Sequence, residues 1–303
     1  MTGYARDTMF TLAHLSDPHL APLPVASFME LAGKRLTGWL NWQRKRHLVH
    51  DRAVLAAIVA DMQAQKPDHI AVTGDITNIG LPAEFTQGRD WLASLGNAAD
   101  VSFIPGNHDI YIAGCEELAA RAFGANMRGD ENESFPYVRR RGPVALIGLS
   151  SGVPNAPFMA TGEAGDTQRV KLALLLDRLK AEKLFRVVMI HHPPVSNSGH
   201  HKRLIDAEQL KAVIAAHGAE LLLHGHDHLN MVNWLEGPEG SKVPAVGVPS
   251  ASARPGMDKD AAGYNLYRIN GINDGWNCEM ISRGLNAAGT AIEERRVITA
   301  WAR

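Results

Sequence analysis

Five short clusters of histidine, acidic and amide residues lie along the chain between residues 16 and 228. They read SDPH (16–19), GD (74–75), GNHD (106–109), HHPP (191–194) and HGHDH (224–228). Imidazole, carboxylate and amide groups without thiolates are the ligand set that suits manganese, iron or zinc. A calcium site would be built from oxygen ligands alone, and structural zinc would usually include cysteine. The clusters therefore predict a transition-metal site.

The clusters contain more candidate ligands than one tetrahedral ion takes. Two metal ions that share a bridging carboxylate are the simplest arrangement, and such two-metal sites are typical of enzymes that displace at phosphorus. Gathered histidines and carboxylates would be costly to bury unless a cation satisfied them. Isolated histidines are more often structural, and this interpretation applies to His14, His47, His69 and His217.

Each cluster follows a short apolar run that is typical of a buried strand. The predicted strands are Phe10–Leu15, His69–Thr73, Val101–Ile104, Phe185–Ile190 and Glu220–Leu223. Ligands of open α/β sheets bind outside the carboxyl ends of the strands. We therefore expect the five clusters to converge on one site.

Longer amphipathic segments alternate with these strands, which predicts an α/β fold. Helices are expected at about 50–63, 82–95, 168–181 and 206–217. After Leu223, short alternating stretches between glycine and proline turns predict an antiparallel meander, which we expect to form a second sheet packed on the first. No repeat or long linker interrupts the chain, which favours a single domain over 1–303 with a β-rich part at about 229–303.

Composition excludes several classes of protein. The 303 residues are 45% hydrophobic and 21% charged, unlike a disordered or collagen-like chain. The net charge of −1 lacks the basic excess that drives non-specific nucleic-acid binding. Cys115 and Cys278 are too few for a disulfide framework. The first ten residues contain Asp7 and no apolar segment, and no apolar run approaches a membrane span, so we expect a cytoplasmic protein. The oligomeric state is left open.

The five clusters, in this order, resemble the motif set of the calcineurin-like metallophosphoesterases, over residues 17–228. The resemblance implies a four-layer αββα sandwich with a dinuclear site at the mouth between its two sheets. It also implies two divalent metal ions, manganese or iron, with zinc as an alternative. In such a site the metals would lower the pKa of a water molecule and neutralise the phosphate, and in-line attack would expel an alkoxide.

The resemblance implies a role for each cluster residue. The first metal would be held by Asp17, His19, Asp75 and His228. The second would be held by Asp75, Asn107, His191 and His226, with Asp75 bridging. His108 would contact the substrate phosphate and protonate the leaving oxygen, with Asp109 as its orienting partner. His192 would be a neighbour that faces the substrate and not a ligand.

HHPP and GHDH look most like the branch that contains bacterial class III cyclic-nucleotide phosphodiesterases and glycerophosphodiesterases. This likeness implies a phosphodiesterase that acts on small diesters. A nuclease would need a continuous basic groove, which only residues 34–52 indicate. A non-catalytic scaffold would have lost ligands, whereas this chain retains every one.

An insertion at about 21–50 departs from the small core pattern. It contains five cations and no acidic residue between Glu30 and Asp51. Its apolar residues fall at helical spacing, which predicts a cap. The favoured interpretation is that Trp39 and Trp42 pack the insertion onto the body. The alternative is peripheral lipid contact through 31–50, as would suit an enzyme like the UDP-2,3-diacylglucosamine pyrophosphohydrolase, which uses the same metal core.

A second candidate substrate wall follows HHPP. Glycine and serine residues there predict a mobile loop, and its basic residues are candidates to bind a phosphate or a leaving group. They are His200, His201, Lys202 and Arg203, of which Arg203 is the preferred specificity residue. A solvated charged loop is the alternative.

Overall fold

The computed structural model describes residues 9–272 and 275–302, which form two six-stranded mixed sheets. In the first sheet the strand order is β12-β11-β10-β1-β2-β3, and in the second it is β4-β5-β6-β7-β9-β8. The strands are β1 (Phe10–Leu15), β2 (His69–Val72), β3 (Val101–Phe103), β4 (Tyr137–Arg141), β5 (Val144–Gly148), β6 (Phe185–Met189), β7 (Leu221–His224), β8 (Met231–Glu236), β9 (Lys242–Gly247), β10 (Gly263–Ile272), β11 (Gly275–Leu285) and β12 (Ile292–Ala302).

Helices connect the strands and cover the sheets. They are α1 (Lys34–Asn41), α2 (His47–Val49), α3 (Arg52–Ala64), α4 (Pro82–Leu95), α5 (Cys115–Phe123), α6 (Asp166–Ala181) and α7 (Ala207–His217), with a π-helical turn at Trp42–Arg46. Helix α3 begins one residue after Asp51, because the Asp51 carboxylate caps it by accepting from the backbone N–H of Ala53 at 2.7 Å. The described helices are too short or too polar to cross a membrane. The cytoplasmic location stays a prediction, and residues 1–8 lie outside the described part.

Three apolar clusters show that the layers stack as helix, sheet, sheet, helix. Successive residues of a strand point to opposite faces, so β1 contributes Leu12 to the inner cluster and Leu15 to the outer one. Between the sheets Leu12 packs with Val187 of β6. Outside them, α3 and α4 cover the first sheet, and α6 and α7 cover the second through Leu176 and Ile214. The predicted four-layer αββα sandwich is confirmed.

The strand partners differ from those expected. The five motif-bearing strands do not share one sheet, since β1, β2 and β3 lie in the first and β6 and β7 in the second. The expected C-terminal second sheet is also wrong. Strands β8 and β9 join the second sheet through parallel pairing of β9 with β7, and β10 pairs antiparallel with β1 in the first. Alternation of apolar residues indicates a strand but does not indicate its partner.

The insertion is folded and anchored. Trp42 is 5% exposed and stacks on His50 with ring centroids 6.3 Å apart, and Trp39 packs against the cluster under α3 and α4. The predicted packing onto the body is therefore confirmed for Trp39, whereas Trp42 is buried against His50 at the end of the insertion. Lys34 donates to the carbonyl of Tyr111 at 3.1 Å, and Arg35 donates to the carbonyls of Ile79 and Gly80. These bonds fix the insertion beside the loop that follows β2.

Candidate metal centre

The loops after β1, β2, β3, β6 and β7 meet at one place, where the two sheets bring their carboxyl ends together. Nine non-glycine residues of the described chain have a positive φ angle, and five of them belong to the predicted ligand set. They are Asp17, His19, Asp75, His226 and His228, with φ between 36° and 67°. Such strained backbone collects at functional sites, where the surrounding structure holds it in place.

The first predicted ligand set is assembled around Asp17. Its Oδ1 lies 3.0 Å from Nε2 of His228 and 3.8 Å from Nε2 of His19. His19 Nδ1 donates to the carbonyl of Thr77 at 3.1 Å, which leaves the lone pair of Nε2 directed at the carboxylates. That nitrogen is buried and has no hydrogen-bond partner among the described residues.

In the second predicted ligand set, as for one histidine of the first, a backbone carbonyl accepts a hydrogen bond from one ring nitrogen of each histidine. His191 Nδ1 donates to the carbonyl of Thr73 at 2.6 Å, and its Nε2 is 3.3 Å from Oδ2 of Asp75 without a hydrogen-bond partner in the described chain. His226 Nε2 donates to the carbonyl of Lys202 at 2.7 Å, so Nδ1 carries a lone pair that faces Oδ1 of Asn107 at 2.9 Å. Two acceptor atoms facing each other at this distance are an arrangement that a shared cation would satisfy.

One carboxylate oxygen belongs to both sets. Oδ2 of Asp75 lies 3.9 Å from Nε2 of His19 in the first set and 3.3 Å from Nε2 of His191 in the second. Two groups of potential ligand atoms include Asp75, Asp17–Asp75–His191 and His19–Asp75–His108, and in each group the atoms lie within 4.8 Å of one another. The residues present therefore fit two cations with Asp75 between them.

The electrostatics of the cluster favour bound positive charge. Burial alone would lower the pKa of His191, but the Asp75 and Asp17 carboxylates raise it to about 10. Burial opposes ionisation of Asp17, yet His228 and His191 hold the pKa of that carboxyl well below its usual range. A proton on His191 thus occupies the electrostatic place that a metal ion would take.

The predicted pairing of His108 with Asp109 is wrong. The Asp109 carboxylate accepts from the backbone N–H groups of Asp75 at 2.7 Å, Gly106 at 2.9 Å and Thr77 at 3.0 Å, so it braces the two ligand loops. Burial and the Asp75 charge raise the pKa of Asp109 to about 7. Adjacent residues in a turn project in different directions, and sequence adjacency did not make these two side chains neighbours.

His108 is oriented by two other groups. Its Nδ1 donates to the carbonyl of Asn78 at 2.5 Å, and its Nε2 accepts from Nη1 of Arg46 at 3.0 Å. Burial and the nearby Arg46 guanidinium lower the pKa of His108 to about 3. The imidazole of His108 is therefore neutral and carries its proton on Nδ1.

The predicted substrate-facing residues divide into two groups. His192 is fully buried, with Nδ1 2.8 Å from the Ser151 hydroxyl and Nε2 3.3 Å from the carbonyl of Ala160. It lies beside His191 and His226, with which it forms a further group of potential ligand atoms, and its contact with a substrate stays a prediction. His200, His201 and Arg203 are exposed on the loop after HHPP.

A cavity of about 130 Å³ opens over the predicted ligands. Its wall includes Lys202 and not the preferred Arg203, and the backbone carbonyl of Lys202 accepts a hydrogen bond from Nε2 of His226. Arg46 and Lys259 also line it. The sequence analysis placed Arg46 only among the cations of the insertion and did not single out Lys259. Neither residue is next to one of the five motifs in the chain, so nothing in the sequence around it predicts a place at this cavity.

Other features lie apart from this site. A larger cavity of about 560 Å³ has Pro105, Ile110 and Phe135 in its wall and none of the predicted ligands, so cavity size does not identify the chemistry. The four histidines interpreted as structural lie outside the potential ligand groups of the described chain. His14 contacts the hydroxyl of Thr73 at 2.9 Å, and His69 contacts that of Ser102 at 2.8 Å.

Comparison with known proteins agrees with this geometry. The model of the family described as calcineurin-like phosphoesterase matches residues 10–230. A probable glycerophosphodiester phosphodiesterase GpdQ of Arcobacter nitrofigilis is 30% identical over 170 residues, which are 54% of this chain and 57% of that protein. A probable cyclic nucleotide phosphodiesterase of a Synechococcus strain is 27% identical over 230 residues, 74% of this chain and 76% of that protein.

Solved structures share the fold. A dimetal phosphatase from Danio rerio has a TM-score of 0.66 at 12% identity and covers 96% of this chain and 98% of its own. A purple acid phosphatase from yellow lupin has a TM-score of 0.58, also at 12% identity, over 97% of this chain and 54% of its own. At these identities the likeness shows the architecture alone.

Proposed function

Because this chain belongs to the calcineurin-like phosphoesterase family, we propose that it is a dinuclear metal-dependent phosphodiesterase. Its substrates in this proposal are small diesters of the cyclic-nucleotide or glycerophosphodiester type. Water adds across one P–O bond and leaves a phosphate monoester and a free hydroxyl group, which stay on one molecule when the diester is cyclic. The names of the two relatives support the choice of a diester. Manganese or iron, with zinc as an alternative, suits the nitrogen and oxygen ligands.

One observation carries the proposal. Oδ2 of Asp75 is shared by two sets of lone pairs, and two buried imidazole nitrogens beside it, on His19 and His191, have no partner in the described chain. Unpaired ring nitrogens also occur on the structural histidines His14 and His69, so what distinguishes His19 and His191 is that their unpaired nitrogens lie near the same carboxylate oxygen of Asp75. When bound, a pair of divalent ions would supply an activated water and neutralise the phosphate charge.

The chain's own residues prepare the site for that chemistry. Backbone carbonyls hold one proton of His19, His191 and His226 on the nitrogen away from the cluster, so the ligating lone pairs of His19 and His226 are present before metal binds. The Nε2 lone pair of His191 becomes available when metal displaces the second proton of that imidazole. Asp109 fixes the two loops that carry Asp75 and Asn107. His108 lies on the wall of the cavity, where Nε2 is its one ring nitrogen free of a backbone carbonyl.

Parallel assays test the proposal. The protein loaded with Mn²⁺ is given bis(p-nitrophenyl) phosphate, p-nitrophenyl phosphate, cyclic AMP and a glycerophosphodiester, and kcat/KM is measured for each. A diester preference is expected. Preference for the monoester would contradict the diesterase assignment, and no turnover of any ester with Mn²⁺, Fe²⁺ or Zn²⁺ would contradict hydrolysis itself.

A second candidate, hydrolysis of a lipid-linked phosphate ester, is favoured by the surface of the insertion. Val25, Phe28 and Met29 are 100%, 93% and 87% exposed, and they precede the exposed cations Arg44 and Lys45. Apolar side chains next to cations suit an anionic bilayer. In this candidate, the segment 31–50 with its preceding apolar residues contacts the membrane beside the site.

The exposed residues are better probes of this candidate than the tryptophans, because Trp42 is buried and its replacement would unfold the insertion. The double variant Phe28→Ser/Met29→Ser should lose sedimentation with phosphatidylglycerol vesicles and turnover of a UDP-linked lipid, and should keep the rate on the soluble diester. Binding that is unchanged in the double variant would remove the lipid candidate. Phosphatidylcholine vesicles serve as the neutral control.

A further inference from the structure

The insertion brings one arginine to the wall of the candidate active site. We propose that Arg46 binds a non-bridging phosphoryl oxygen of the substrate, so that the insertion is part of the substrate site. The identity of the substrate as a phosphate ester rests on the proposed function. The assignment of Arg46 rests on its position, its missing partners and the way it is held.

Its position places the guanidinium at the metal ligands. Arg46 lines the same cavity as Asp75, Asn107 and His228, and its Nη1 donates to Nε2 of His108 at 3.0 Å. The sequence separates Arg46 from His108 by 62 residues. The contact therefore depends on the insertion folding back over the loops that follow β2 and β3.

Its missing partners distinguish it from neighbouring cations. Nε and Nη2 of Arg46 are buried and have no hydrogen-bond partner among the described residues. Lys34 and Arg35 of the same insertion reach backbone carbonyls instead. Leaving guanidinium donors buried and unpaired costs free energy, which an anion with oxygen acceptors would recover. A phosphate group offers such oxygens and the opposite charge.

The surrounding contacts hold the guanidinium in place. Because Nδ1 of His108 donates to a carbonyl, Nε2 is free to accept from Arg46, and the imidazole orients the arginine. Arg46 ends the π-helical turn Trp42–Arg46, a type of helix that is frequent at functional sites. A Cβ atom added at Gly38 would lie 2.4 Å from the Tyr111 hydroxyl oxygen, so glycine there permits the close approach of α1.

The chemistry follows from this placement. Negative charge on the phosphoryl oxygens must be stabilised as the P–O bond to the leaving group breaks, and a fixed guanidinium donates to those oxygens without reorganising. In the proposed arrangement His108 is a positioning residue for Arg46 as well as a wall of the cavity. Removing one fixed donor of this kind typically lowers the rate by about 100-fold or more.

The test compares Arg46→Met and Arg46→Lys with Arg52→Met, which removes an exposed cation six residues further along the chain. All are loaded with Mn²⁺, and metal content and thermal unfolding are checked. We measure kcat/KM for bis(p-nitrophenyl) phosphate and, separately, the Kd of inorganic phosphate by calorimetry. Arg46→Met should lower kcat/KM by about 100-fold and weaken phosphate binding, Arg46→Lys should recover part of both, and Arg52→Met should match the parent.

Measuring both kcat/KM and the Kd of phosphate distinguishes a failure of the Arg46 proposal from a failure of the proposed function. Parent-like kcat/KM and phosphate affinity in Arg46→Met would overturn the role of Arg46 and leave phosphodiesterase activity standing. Phosphate binding that depends on Arg46 in a protein that hydrolyses no ester would support Arg46 and contradict the proposed function. A parent protein that does not bind phosphate would contradict Arg46 directly. If Arg46→Met loses metal or unfolds, Arg46→Lys decides the question. Parent-like kcat/KM and phosphate affinity at full metal content in that variant would overturn the proposal that the guanidinium binds a phosphoryl oxygen.

Discussion

Two regions of the molecule bury charged groups in opposite ways. At the start of the interior strands β6 and β7 of the second sheet, Arg186 donates from Nε and Nη2 to the Glu220 carboxylate at 2.9 and 2.6 Å, and its Nη1 donates to the carbonyls of Leu176 and His217. At the metal centre, by contrast, buried nitrogens of His19, His191 and Arg46 have no hydrogen-bond partner in the described chain.

A second arginine makes the contrast sharper. Arg139 is buried and reaches four backbone carbonyls with its three guanidinium nitrogens, those of Ala98, Val101, Ala125 and Arg128, at 2.7–2.9 Å. Arg46, by contrast, has one hydrogen bond, from Nη1 to Nε2 of His108, and its other two nitrogens are unpaired in the described chain. Satisfied buried charges hold the fold together, whereas unsatisfied ones mark the place where a ligand binds.

The largest effect is expected from a substitution at the metal centre, where buried nitrogens lack hydrogen-bond partners in the described chain. Asp75→Asn keeps the shape of the side chain and removes the charge of the oxygen that both ligand sets share. Metal ions supply several kcal/mol of transition-state stabilisation, so kcat/KM should fall by roughly 10⁴-fold. Metal content and kcat/KM are measured together. Full activity with full metal content in Asp75→Asn would show that the shared oxygen is not needed.

A substitution at the Arg186–Glu220 ion pair should lower the stability of the protein and leave catalysis unchanged. Glu220→Ala leaves Arg186 buried without its carboxylate partner, and breaking a buried ion pair in this way costs roughly 3–5 kcal/mol of unfolding free energy. Denaturant unfolding gives this value, and kcat/KM of the folded fraction should match the parent. A loss of kcat/KM at unchanged stability would show that this ion pair serves catalysis and not the fold.

The protonation of His191 makes both the stability of the metal-free protein and its affinity for Mn²⁺ depend on pH. The pKa of His191 is raised from 6.5 to about 10, so the metal-free protein gains stability from this proton below pH 6.5 and loses it as the pH rises toward 10. Metal must displace the same proton, so Mn²⁺ affinity should rise by about tenfold per pH unit between pH 7 and 9. Calorimetry at several pH values measures the slope. A flat profile would show that His191 carries no proton in the metal-free site.

The smallest expected effect comes from an exposed pair of similar geometry. Arg140 donates to the Glu182 carboxylate from Nε at 2.8 Å and from Nη2 at 2.9 Å, with both side chains partly exposed. Water screens such a pair, so Glu182→Gln should change the unfolding free energy by about 1 kcal/mol or less. A loss as large as that of Glu220→Ala would show that bidentate geometry, and not burial, sets the cost.

Much of the site could be predicted because its signals are local. Strand β1 and helix α4 begin and end where the apolar pattern placed them, and each motif begins no more than three residues after the last residue of its strand. The loops after these strands carry the ligand atoms, so knowing the strand ends was enough to predict which side chains gather. The pairing of His108 with Asp109 failed because side-chain direction in a turn depends on the surrounding backbone, which the sequence pattern does not describe.

The amino-acid sequence determined the types of ligand, their order and the α/β class, because motif spacing and apolar periodicity follow from residues close together in the chain. The αββα architecture followed from the resemblance of the motif set to a known family. Only the tertiary structure decided that β9 pairs with β7, that Lys202 and not Arg203 lines the cavity, and that Arg46 alone among the five cations of the insertion reaches it. These outcomes depend on contacts between distant segments. The five cations of the insertion carry the same charge, and only the fold sets which one lies at the metal centre and which ones donate to carbonyls or face water.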